Sequence, residues 1–93
     1  MIDDQIRRAQ EYLSVGNFNE RKVIVDIVSL LEQHPLDSVI LFLEQFLEET
    51  KKTLGNLLAV DRSSPKVNET VALCFRLRMA IYTLREIKEV KAA

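Results

Sequence analysis

From Leu36 to Leu58 the apolar residues recur at the spacing of one face of an α-helix. Leu36, Val39, Ile40, Leu43, Phe46, Leu47, Leu54, Leu57 and Leu58, with Thr50 among them, follow i, i+3, i+4, i+7. A strand alternates with period two and cannot present such a set on one side. Each proline precedes a long run of helical periodicity. The His34-Pro35 junction ends what comes before it, because a residue ahead of proline avoids the helical region. Pro35 is then suited to be the first residue of the next helix. Ser64-Pro65 repeats the signal as a cap followed by an N-terminal proline.

Two glycines and two prolines in 93 residues are too few for a turn-rich β fold, and an apolar content of 47% is too high for a disordered chain. The spacing predicts four helices. The first spans about Asp3 to Ser14, with Ile2, Ile6, Ala9 and Leu13 on its stripe, Tyr12 beside it and Gly16 as its stop. Asn17 and Glu20 read as a capping box for the second, from about Phe18 to Gln33, with Val23, Ile24, Ile27, Leu30 and Leu31 inward. The third starts at Pro35, where Gly55-Asn56 either ends or only weakens it, and Glu48 is set to pair with Lys52. After the polar loop Asp61–Ser64, the fourth spans about Pro65 to Val90. The expected fold is an all-α, four-helix bundle-like domain over residues 1–93. Helices 3 and 4 form a long antiparallel hairpin and helices 1 and 2 a shorter one.

Several chemistries are excluded by residue type. One cysteine, Cys74, permits no internal disulfide, and one histidine, His34, leaves a zinc site or a catalytic triad without ligands or base. The glycines are too far apart for a phosphate loop. Glu44 and Glu48 share a polar helix face, not a cleft that would shift their pKa values. No catalytic, cofactor or metal site is expected, and so no enzyme. No apolar run is long enough to span a membrane, the N-terminus is acidic, and the lone thiol fits a reducing compartment, so the expected location is cytoplasmic. Tyr12 to Glu20 resembles the turn of a helical-hairpin repeat such as the tetratricopeptide motif. Arg21 stands where that motif takes a small residue, and a single unit makes no repeat array.

The fourth helix is apolar on two sides. Leu73, Leu77, Ala80, Leu84 and Ile87 make one face, and Val71, Phe75, Met79, Tyr82 and Val90 another, roughly opposite. Arg78 and Arg85 lie on one seam between them, and Glu69, Arg76 and Thr83 on the other. Such a helix is either the central helix of its own domain or half of an interface, and the two are compatible. Leu41, Phe42 and Val25 also fall off the inner stripes, and the adjacent pair Leu41-Phe42 reads either as an anchor on one shoulder of its helix or as satellite core under the short hairpin. The expected function is a non-enzymatic protein–protein interaction module: an adaptor, small chaperone or regulator, homo-oligomeric or part of a small hetero-complex. Its candidate contacts are Leu41, Phe42, Phe75, Met79 and Tyr82, with Arg78 and Arg85 aligning an acidic partner. The alternative is a nucleic-acid-associated regulator. Residues 1–60 carry six basic and ten acidic side chains, whereas residues 61–93 carry seven and four, concentrating a basic ridge of Arg76, Arg78, Arg85, Lys88 and Lys91. Against this, the same cations can pair internally with Glu44, Glu48 or Asp26.

Overall fold

The computed structural model describes residues 2–14 and 26–92. Four helices follow in order: α1 (Ile2–Ser14), α2 (Ile27–Gln33), α3 (Leu36–Val60) and α4 (Pro65–Ala92). Among the described residues there is no strand. The readings that used Gly16, Asn17, Glu20, Val23, Ile24 and Val25 lie outside the described residues, as do those that used the side chains of Ile2 and Val90.

α3 and α4 form an antiparallel hairpin. Asp37 and Glu44, near the start of α3, meet Lys88 and Arg85, near the end of α4, at 2.9 and 2.7 Å. α1 also runs antiparallel to α4, since Gln5 reaches Glu86 while the Tyr12 carbonyl accepts from Arg76. Among the described residues α1 and α3 do not pack on one another, and α4 packs on both. α4 therefore lies between α1 and α3, and the short α2, which packs on both of these across from α4, closes the bundle.

This order explains the burial pattern of α4. Val67, Thr70, Leu73, Cys74, Leu77, Ala80, Ile81, Thr83, Leu84 and Ile87 are all buried. At about 100° per residue these positions sweep roughly half the circumference, wider than the stripe of an edge helix. Leu73, Cys74, Leu77, Ala80, Ile81, Leu84 and Ile87 share one core with Ala9 and Leu13 from α1, Ile27 from α2, and Val39, Ile40, Leu43 and Leu47 from α3. Three buried threonines interrupt the apolar lining. Each donates its hydroxyl to the carbonyl four residues back, Thr50 to Phe46, Thr70 to Lys66 and Thr83 to Met79, so none is left unsatisfied.

Local chemistry corrects the expected boundaries. The second helix does not run unbroken from Phe18 to Gln33, because Asp26 has an extended backbone (φ −94°, ψ 94°) and caps a new start at Ile27. Its carboxylate accepts from the Ser29 amide and hydroxyl, and Gln10 of α1 accepts from the Ile27 amide at 2.6 Å. Two of the orphan donors at that helix start are thus satisfied, one of them across helices. Asp26 is accordingly a cap and not a counter-ion for α4. Pro35 is the N-cap of α3 and not its first residue, with an extended backbone and a carbonyl that accepts from Val39. Gly55 does not end α3, which continues to Val60. Glu48 pairs with Lys51 at i+3, not with Lys52. Both spacings put side chains within reach on a helix surface.

Candidate protein-docking face

Between the flank of α4 that meets α1 and the flank that meets α3 lies an uncovered strip. Val71 is 48% exposed, Phe75 60% and Tyr82 62%. Met79 is half-buried, and Arg78 is exposed. The second apolar flank of this helix is thus outside the core, while Leu73, Leu77, Ala80, Leu84 and Ile87 form the buried one. α4 is both the central helix of its domain and an open apolar surface.

The α3 side of the strip is a groove of about 260 Å³ lined by Glu44, Leu47, Glu48, Arg78, Ile81, Tyr82 and Arg85. Leu47 and Ile81 form its apolar lining, and the charged residues are two glutamates of α3 and two arginines of α4. Arg85 is held by Glu44 at 2.7 Å, with both side chains partly in solvent. Arg78 forms no ion pair among the described residues and stays available to a partner.

Leu41 and Phe42 do not share one shoulder of α3. Leu41, 55% exposed, does not line the groove and points away from the buried face of α3. Phe42, 45% exposed, stands one turn before Phe46, and their rings meet edge-on with centroids 6.4 Å apart. Successive helical residues diverge by about 100°, so the two side chains leave α3 in different directions. The structure gathers Phe75, Arg78, Met79, Tyr82 and Arg85 along one side of α4, and neither Leu41 nor Phe42 lines the groove beside them.

Three members of the basic ridge are engaged, and the side chain of Lys91 lies outside the described residues. Arg85 pairs with Glu44 and Lys88 with Asp37, while Arg76 donates to the Tyr12 carbonyl at 3.4 Å. Spacing alone could have found the Asp37–Lys88 pair, because an antiparallel hairpin turning at residues 61–64 sets the start of α3 against the end of α4. Cys74 is buried, and desolvation pushes its thiol pKa up, against smaller opposing contributions from Arg78 and Lys51. A raised pKa makes the thiolate scarce at neutral pH, the opposite of a reactive cysteine. No described helix is long and apolar enough to cross a membrane. No protein-family model, curated protein or solved structure matches this chain.

Proposed function

We propose that this chain is a non-enzymatic protein-binding module whose working surface is the open flank of α4. One observation carries the reading: Phe75 and Tyr82, two turns apart on the central helix, are each more than half exposed beside Val71 and Met79. Single exposed apolar residues are ordinary on a protein surface, whereas aromatic side chains lined up with an arginine have the composition of an interface centre. The partner would complete the bundle by laying a helix along α4. An adaptor or regulator in the reducing cytoplasm is the setting that the unbridged, inert thiol fits. The nucleic-acid reading draws less support, because Arg85 and Lys88 already have acidic partners within the chain.

The test is capture from the native host with two baits, the natural chain and Phe75→Ser/Tyr82→Ser. Both positions are exposed, so the variant is expected to keep its helical circular dichroism. Proteins held by the natural chain and released by the variant support the reading. An unchanged set of bound proteins refutes it.

A further inference from the structure

We infer that α2 is a hinged strap. It opens as a unit about His34-Pro35 while α1, α3 and α4 stay folded, and so bares an apolar site between α1 and α3 that is covered in the closed molecule. This goes beyond the α4 reading and does not rest on it. The first argument is position. α1 and α3 each pack directly on α4, whereas α2 packs on α1 and α3 and not on α4. Lifting α2 therefore leaves in place both contacts that assemble the three longer helices.

The second argument is length and anchorage. α2 has seven residues, and a helix shorter than about 12–15 is marginal in water without packing, so its docking and its folding are one event. Ile27 is its one buried residue, with Leu30 and Leu31 half-buried and Val28 43% exposed. A polar pin joins it to α1, where the Gln10 side chain accepts from the Ile27 amide at 2.6 Å. The bonds of Asp26 to Ser29 are internal to this segment and move with it. The third argument is the hinge. His34 (φ −135°, ψ 151°) and Pro35 (φ −62°, ψ 154°) are both extended. The His34 amide closes the ladder of α2 on the Leu30 carbonyl, and the Pro35 carbonyl opens that of α3 by accepting from Ser38 and Val39. Pro35 has no amide hydrogen to carry a ladder across. Rotation about the Cα–C bond of His34 thus turns α2 against α3 and leaves both ladders whole.

The experiment is native-state hydrogen exchange of the full chain, read residue by residue at several urea concentrations below the unfolding transition. The Leu30 and His34 amides, both bonded within α2, are expected to exchange at least about a hundredfold faster than those of Leu77 and Leu84. Their urea dependence is expected to be less than about a third as steep, because a local opening exposes little surface. Gly55→Ala separates local from global opening. Gly55 lies about 30 Å along α3 from the hinge, well beyond the reach of a seven-residue helix, so its helix is intact whether α2 is open or closed. The substitution is expected to slow the Leu77 and Leu84 amides about two- to fivefold and to leave the Leu30 and His34 amides unchanged. Leu30 and His34 amides that match those of α4 in rate and urea slope overturn the inference, as do α2 amides that slow with Gly55→Ala as much as those of α4. If Gly55→Ala slows neither set, the urea slopes alone decide, and equal slopes overturn it.

Discussion

Leu77→Ala tests the claim that α4 holds the domain together. Leu77 is 0% exposed and lies on the buried side of α4, between the Arg76 side that meets α1 and the Arg85 side that meets α3. The substitution removes three carbons, which at about 0.8 kcal/mol each is about 2.4 kcal/mol of lost transfer free energy. The cavity left behind adds to this, giving about 3–4 kcal/mol. α1 and α3 do not support one another across the gap, so both packed surfaces lose contacts. Val71→Ala on the same helix is the comparison, because Val71 is half exposed. It loses two methyl groups already partly in water and gains helix propensity, so its net change is within about 0.5 kcal/mol. Thermal and urea unfolding followed by helical circular dichroism, at a concentration low enough to suppress association, reads both. Leu77→Ala is expected to lower Tm by about 12–32 °C, because about 1 kcal/mol moves a domain of this size by about 4–8 °C. A loss below about 1 kcal/mol, or one no larger than that of Val71→Ala, would refute α4 as the shared element of the core.

Gly55 is exposed inside α3, and a Cβ built there meets nothing within 4 Å, so Gly55→Ala is expected to stabilise by about 0.5–1 kcal/mol, read as a rise in Tm. A double-mutant cycle on Glu44 and Arg85, both partly exposed, is expected to give a coupling of about 0.2–1 kcal/mol that shrinks in about 1 M salt. Cys74 should resist a thiol reagent in the native state and react upon unfolding. Its folded-state pKa is raised, so the unfolded chain loses the proton first, and stability should fall as pH rises through about 9; Cys74→Ala should flatten that fall in alkaline unfolding curves. Asp26 has the opposite sign: its bonds to Ser29 lower its pKa, so its contribution is present above the ordinary carboxylate value and lost as pH falls through the lowered one. Asp26→Asn, which keeps a capping oxygen, should therefore flatten the acid limb of stability against pH.

The bundle was legible wherever the apolar period was long and uninterrupted. Pro35 and Pro65 mark the starts of α3 and α4, and the i, i+3, i+4 pattern from Leu36 to Leu58 fits a helix and not a strand. The break at Asp26 was not legible, because Ile27, Leu30 and Leu31 keep the phase of the residues before them. A cap costs the sequence one aspartate and leaves the apolar period intact. The two flanks of α4 were visible as a pattern, but not which would be covered. That depended on helices α1 and α3 packing at different azimuths of α4, a tertiary choice that periodicity in one helix does not encode. Leu41 and Phe42 show the converse error: adjacency in sequence suggested a single anchor, although the 100° step of a helix separates neighbours.

The four helices close a ring in which α1 and α3 each pack on both α4 and α2. In such a bundle every helix has two neighbours and one solvent face, and each needs one apolar stripe. α4 departs from that rule, because its solvent side carries Val71, Phe75 and Tyr82. Along the back, the core residues of α1 and α3 converge with Ile27 of α2 and bury Leu77 and Leu84. Along the front, no element among the described residues covers Phe75 or Tyr82. If that front existed only to be wet, polar residues at positions 71, 75 and 82 would satisfy the fold equally, since none of the three contributes to the core. Replacing all three together by Gln tests the point directly. Unchanged unfolding of the monomer with loss of the captured proteins would assign those side chains to an interface. Collapse of the monomer's own stability would return them to the fold.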